Sequence, residues 1–359
     1  MLEIEVGEFV HILFESALRP LRQAQEPAQR PQLFRCKITK SVSLPQISDS
    51  TKLKSNHMQD NPFTENLKQS TGMRVFSFLI IVLISTLIGA ALSAIFVFRG
   101  DTGFTIGQGI TSVFMFVIPP IVYYYITRKE NPMQALGLRQ LAQPWWLILI
   151  GAALMFVSIP FTTTLTTWNE SMHLGGAFTQ LEDWMKTLEE TAQAATEKML
   201  NVDTIGGLLF NLLVIALIPA VGEELTFRGV LQQSLTRRMN PHVAILLSAA
   251  IFSFIHFQFY GFLPRLFLGL LMGYMFYITN SLWTSMLMHF LNNGATVVLY
   301  YLNNKGIIED AEHFGATQNG WIIAASAAIT IGLIVWSWKK AQPRQQAETA
   351  TVIPMKEND

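Results

Sequence analysis

Seven stretches of this chain, each of 19 or more residues, contain no Asp, Glu, Lys or Arg. They cover residues 75–98, 102–127, 140–169, 204–222, 239–264, 266–304 and 313–338. About 20 apolar residues cross the hydrocarbon of a bilayer as a helix, and lipid obliges every backbone group to find its partner within such a segment. The sixth stretch is 39 residues long and is interrupted by Thr279-Asn280-Ser281, so it reads as two spans. The expectation is an all-α fold: a polytopic membrane helical bundle of about eight transmembrane helices in one domain over 73–340.

Composition narrows the function classes. Of 359 residues, 50% are hydrophobic and 14% charged; Lys+Arg and Asp+Glu both number 25. No basic excess is left for nucleic acid, because phosphate binding needs a concentrated positive surface. The single cysteine, Cys36, excludes an internal disulfide framework and any Cys-rich zinc site. Residues 1–72 read as a polar N-terminal extension, expected to be disordered. Its first 57 residues are Pro-rich in part and lack the apolar core of a signal peptide. Residues 341–359 read as a cytoplasmic tail.

The Lys and Arg flanking the spans set the orientation. With the N-terminus inside, ten (Lys68, Arg74, Arg128, Lys129, Arg139, Arg237, Arg238, Lys339, Lys340 and Arg344) fall in the cytoplasm and five (Arg99, Lys186, Lys198, Arg265 and Lys305) outside. Both termini are therefore expected in the cytoplasm, with membrane lipid as the surroundings. The longest outer segment, 170–203, is acidic and patterned as an amphipathic helix: Leu181, Trp184, Met185 and Leu188 keep the spacing of an apolar stripe. It reads as a helix lying on the bundle or the interface, with a substrate-guiding lid as the alternative.

Against this apolar background a few polar groups stand out. Ionisable side chains at mid-bilayer cost roughly 2.5–3.5 kcal/mol each on insertion scales, so those present usually face the bundle interior. Glu223, Glu224 and Arg228 lie in PAVGEELTFRGV, His256 in FSFIHF, and His289 with Asn293 in HFLNN. Glu224 and Arg228 are i, i+4, as are His289 and Asn293, and Phe252 precedes His256 by the same step. Glu223 is 14 residues from Arg237, His256 15 from Pro241 and His289 eight from Ser281. At 1.5 Å per residue these are roughly 20, 20 and 12 Å of helix, so all three groups approach the middle of the membrane from one side.

Each residue also has a structural explanation. Glu224 with Arg228 can be a plain ion pair, a membrane histidine a helix-to-helix hydrogen bond, and Asn293 glue between helices. Gly269 and Gly273 form a small-xxx-small pair that close packing accounts for, and Pro219 breaks a backbone bond one turn before Glu223. Together the set permits hydrolysis of an amide. Glu223 and His256 can polarise a water, His289 and Asn293 can donate to an oxyanion, and Arg228 can fix Glu224. The same Glu223, His256 and His289 can alternatively hold Zn²⁺ with water in the fourth position, although no HExxH occurs. No convincing Ser or Cys nucleophile, GxGxxG or Walker A sequence is present.

These three segments resemble a known family. EELTFR fits the EExxxR motif, FSFIH the FxxxH motif and HFLNN the HxxxN motif of the CPBP membrane proteins. That group is also called the Abi or type II CAAX prenyl endopeptidase, Rce1-like, family. The resemblance covers roughly residues 200–300. It implies an all-helical bundle with an active site inside the membrane and an intramembrane peptidase. Glu223 would be the catalytic carboxylate, Glu224 and Arg228 its supports, His256 the water-activating partner, and His289 with Asn293 the oxyanion pair. The family is often labelled a metalloprotease, yet a metal-independent glutamate mechanism has also been argued, and the residues here lean to the latter, with no cofactor. A membrane-associated peptide or protein is the implied substrate, and the bacterial inner membrane the implied location. A non-catalytic scaffold or bacteriocin-immunity factor and a proton-coupled transporter are the rival readings.

Overall fold

The computed structural model describes residues 71–127, 131–139 and 143–341. The extension before residue 71 and the tail after 341 lie outside the described residues, as do the expectations about them. The described residues belong to one compact unit, Thr71–Asp359. Among them all regular structure is helical.

Eleven helices are used below. Helix α1 is Thr71–Val97 and α2 is Gly100–Ile126. The short α3 is Pro132–Leu136. Then come α4, Trp146–Val157, and α5, Ile159–Glu170, followed by α6, Thr179–Leu200. Helix α7 is Ile205–Thr236, α8 Pro241–Phe254 and α9 Phe262–Thr279. Helix α10 is Leu282–Asn304 and α11 Gly320–Lys340. Local chemistry sets their limits. Asn131 and Asn240 accept hydrogen bonds from Met133 N and His242 N in front of a proline, a cap followed by a residue with no N–H to satisfy. Asn280, at φ 53°, ends α9 in the left-handed region, and extended Ser281 opens α10. The Thr279-Asn280-Ser281 break is thus real.

Each expected span coincides with helix, but the expected count of eight is not reproduced. Among the described residues five helices are long and apolar enough to cross a membrane, or six if α4 and α5 form one span. Helix α8 has 14 residues, roughly 21 Å, short of a hydrocarbon core of about 30 Å. Helix α10 is long enough, yet its Asn, Ser, Thr and His residues make it too polar to qualify by composition. The stretch read as one span over 140–169 is bent by 46° between α4 and α5. Pro160, in the first turn of α5, supplies no N–H to carry the helix across the junction.

Helix α7 runs through the centre, packed on α2, α8 and α10. Its 32 residues extend roughly 48 Å, more than a bilayer needs. Two stretches of it are π-helical, Leu212–Leu217 and Leu225–Gln232, and α2 has a third, Val113–Val117. A π turn displaces carbonyls from the regular ladder, and in lipid each must find another donor. Neighbouring side chains supply them. Ser85 donates to Phe114 O, Thr226 to Phe116 O and Asn293 to Ile215 O. Ser248 donates to Phe227 O, and Tyr124 with Gln233 to Gly229 O. Several polar residues of the apolar helices are therefore interhelical fasteners, as membrane packing favours.

Helix α9 crosses α8 where its glycines leave room. A Cβ on Gly269 would lie 3.1 Å from Ala249 Cβ, and one on Gly273 2.9 Å from Ile245 Cγ2. The close approach also frees their carbonyls for α7: Arg228 Nη2 donates to Gly269 O and Gln232 Nε2 to Gly273 O. Packing accounts for the glycine pair, as expected from its spacing. Around it Leu147, Leu154, Phe227, Phe252, Met275 and Met288 form the main apolar core.

Helix α6 lies across one end of the bundle, against α2, α10 and the 259–261 turn. Its N-terminus is fastened by Glu182, whose carboxylate accepts from Leu174 N, Gly175 N and Lys186 Nζ and pairs with His173. Lys186, then Gly175 and His173, draw that carboxyl down to about 2. The C-terminus is held by Asn211 Nδ2 on Met199 O and Asn304 Nδ2 on Leu200 O. The amphipathic helix expected in the outer segment is present and lies on the bundle.

Candidate active site

Glu223 and Glu224 close the α-helical stretch Ile218–Glu224 of α7, and Arg228 lies one turn on, inside the π-helical segment. Pro219 is the second residue of that stretch, just beyond the π-helical Leu212–Leu217. The ion pair does not depend on regular α spacing. Arg228 Nη1 is 2.7 Å from Glu224 Oε1, with both side chains essentially sealed from solvent, at 1% and 0% exposure. The guanidinium also donates to Gly269 O and sits 4.9 Å above the Phe252 ring. A buried ion pair persists only with such additional partners.

His289, on α10, bridges the two carboxylates. Its Nδ1 is 2.9 Å from Glu224 Oε1 and its Nε2 is 3.7 Å from Glu223 Oε2. Glu224, paired with Arg228, is an acceptor, so Nδ1 carries the proton it donates. His256 approaches Glu223 from another side, its Nε2 4.0 Å from Glu223 Oε2. The sequence places His256 on a helix with Phe252; the structure does not. Helix α8 ends at Phe254, and His256 lies in the turn beyond it. There its Nδ1 donates to Phe252 O at 2.7 Å, satisfying a carbonyl that the helix end leaves unpaired. A carbonyl can only accept, so Nδ1 carries a proton, and in the neutral ring Nε2, facing Glu223, is then the lone-pair acceptor. The Phe252 ring makes edge contacts with both imidazoles, at 5.0 and 5.9 Å.

Asn293 stands one turn beyond His289 on α10. Its Nδ2 donates to Ile215 O at 3.3 Å and its Oδ1 accepts from Asn292 Nδ2 at 3.1 Å. The helix-fastening role is therefore present, and one Nδ2 hydrogen is not used by these two bonds. The structure brings five of the six expected residues into one polar cluster of direct contacts, and Asn293 joins it through the next turn of the same helix.

Other polar groups around this cluster carry no motif. Arg265 and Glu189 interact electrostatically, and the Arg265 charge also reaches Glu223 and His256. Its guanidinium is held by Gln258 O at 3.1 Å and Gln258 Oε1 at 2.9 Å. From sequence alone Arg265 is only a flanking cation of the outer face. Glu189, on α6, accepts from Tyr260 N at 3.1 Å, and burial pushes its carboxyl above the ordinary range. Asn169, at the end of α5, bonds the same turn. Glu189 and Asn169 have no sequence signal, because their contacts join segments 71 to 94 residues apart.

Among the described residues no three His, Cys, Asp or Glu side chains are arranged to hold a metal ion. Glu223, His256 and His289 as they stand are not such a group.

No curated protein and no solved structure matches the chain. A family model described as type II CAAX prenyl endopeptidase Rce1-like matches residues 205–295. All six expected site residues fall within that match, and so does the turn that carries His256. Over residues 205–295, this multi-pass helical protein carries an Rce1-like domain, the family to which its EELTFR, FSFIH and HFLNN segments point.

Proposed function

We propose that the protein is an intramembrane endopeptidase that hydrolyses a peptide bond of a membrane-associated substrate. The observation that carries this reading is Glu223 Oε2 between two imidazole Nε2 atoms, 3.7 and 4.0 Å away, each ring anchored through its other nitrogen. Those gaps are too long for direct hydrogen bonds and suit a bridging water.

The chemistry follows from the fixed tautomer. A water between Glu223 and His256 donates one hydrogen to each, leaving its lone pair free for the scissile carbonyl carbon. As the new C–O bond forms, Glu223 takes the proton, and the carbonyl π electrons move to oxygen. Asn293 Nδ2–H, one turn beyond His289 on α10, donates to that oxyanion. Collapse breaks the C–N bond, and the proton held by Glu223 passes to the leaving amine. Glu224 keeps His289 oriented, and Arg228 keeps Glu224 ionised and in place.

The test uses purified full-length protein in detergent or proteoliposomes with a fluorogenic peptide library, including prenylated and unmodified C-termini. Wild type is expected to cleave. Glu223→Gln should lower kcat by about 10²–10⁴, the usual span of a general acid–base contribution. His256→Ala should fall in the same direction, and a chelator should leave turnover unchanged. Chelator-sensitive turnover restored by zinc would replace the glutamate mechanism with a metal one. A folded wild type that cleaves nothing, yet retains a bound partner, would favour the scaffold reading.

A further inference from the structure

The catalytic reading makes His256 depend on a turn rather than a helix. Phe257, the next residue, has φ 53°, a conformation that costs a non-glycine residue on the order of 1–3 kcal/mol and persists only where the surroundings impose it. Within the segment, Phe257 N donates to Phe254 O at 3.1 Å, His256 N to Ser253 O at 3.4 Å, Gly261 N to Gln258 O at 3.3 Å and Ser253 Oγ to Phe262 O at 2.7 Å, and Arg265 holds Gln258. Further restraints come from outside. Glu189 holds Tyr260 N, and one residue holds two further points: Asn169 Nδ2 donates to Phe259 O at 3.0 Å while its Oδ1 accepts from Leu263 N at 2.7 Å.

Asn169 is 5% exposed, and both ends of its amide are committed to backbone groups four residues apart. The orientation admits no swap, since the nitrogen must face a carbonyl and the oxygen an N–H. Asn169 is thus a bracket across the 259–263 segment, placed on α5 beyond the 46° bend. A buried amide of this kind costs its desolvation unless both partners are met, and its removal takes the acceptor from Leu263 N and leaves Phe259 O with only its bond from Phe262 N.

We propose that Asn169 is a positioning residue for His256: by clamping Phe259 and Leu263 it maintains the turn that aims His256 Nε2 at Glu223. This rests on the endopeptidase reading. The consequence is specific. Loss of the clamp lets the turn relax, the 4.0 Å gap ceases to be fixed, and a water poised between the two groups loses its geometry. Displacements of about 1 Å at a reacting centre can cost about 10²-fold in rate.

Full-length wild type, N169A and N169D would be compared in detergent by steady-state cleavage of the best library peptide and by NMR of ¹⁵N-histidine-labelled protein. His256 would be assigned from His256→Gln. In N169A, kcat should fall about 10- to 100-fold with KM within about twofold, and the His256 ring nitrogens should shift while those of His242, at the opposite end of α8, do not. N169D retains the acceptor for Leu263 N but faces Phe259 O with an oxygen, so it should also lose kcat. If N169A does not fold, N169S, which keeps one hydroxyl for the same pair, takes its place with the same expectations. A folded variant with unchanged kcat and unchanged His256 signals overturns the proposal, as does a rise in KM alone. Should wild type prove inactive, the endopeptidase reading fails on that arm alone, and the His256 spectrum still decides whether Asn169 positions the ring.

Discussion

Arg228 has the least room for change. It is among the largest fully buried side chains, and three different elements use it: Glu224 on its own helix, Gly269 O on α9 and the Phe252 ring on α8. Removing one member of a buried ion pair strands the other in a medium that cannot solvate it, a loss of roughly 3–5 kcal/mol. Arg228→Ala is therefore expected to lower the unfolding temperature in detergent as well as abolish turnover, with thermal melts as the check. Arg228→Met combined with Glu224→Gln should recover much of that stability without recovering turnover, because His289 then lacks its anionic partner. An unchanged melt for the single variant would mean that water reaches the pair. The six motif residues were legible because charge inside an apolar run is costly and conspicuous. Asn169, Gln258 and Arg265 were not: an Asn or a flanking Arg looks the same in sequence whether it clamps a catalytic turn or faces solvent.

Among the elements, α6 has the clearest pH signature. Glu182 is drawn to about 2 from the ordinary 4.5 by Lys186, Gly175 and His173. A depressed carboxyl adds stability above its unfolded value and loses it as pH falls toward the folded one. The N-terminal fastening of α6 should therefore hold above about pH 4.5 and weaken progressively down to about pH 2. Hydrogen exchange of the 171–182 peptide would report it, and Glu182→Gln should give the loosened pattern already at neutral pH. Exchange that stays flat over that window in wild type would contradict the assignment. The amphipathic stripe made the helix readable in sequence. Its fastenings were not, since they are backbone N–H groups and the termini of other helices. The π-helical segments of α2 and α7 were equally hidden. Each is tolerated because a Ser, Thr, Asn or Tyr from another element supplies a donor, and no local pattern announces that partner.

For the whole molecule, the number of crossings turns on the bend between α4 and α5. Helices α4 and α5 form a single bent crossing in the reading favoured here, so the ends of the pair should lie on opposite sides. In a Cys36→Ser background, cysteines at Trp145 and Met172, both exposed, should react with a membrane-impermeant maleimide from opposite faces of sealed vesicles. Labelling from the same face would make the pair re-entrant and leave five crossings. The charge-free runs fixed where helices form, because burying backbone in lipid leaves few other options. Whether 14 residues of α8, or the polar length of α10, cross unaided is decided by packing against α7 and α9.

By itself the sequence determined an all-helical membrane chain, the break between α9 and α10, and which ionisable residues had to be sheltered inside it. It also carried the family motifs. Tertiary structure alone decided that His256 leaves its helix, that Glu223 stands between two imidazoles, and that a distant asparagine brackets the turn. The reason is physical. Lipid solubility and charge burial are properties of local composition, whereas the aim of a side chain depends on donors and acceptors contributed by segments remote in the chain.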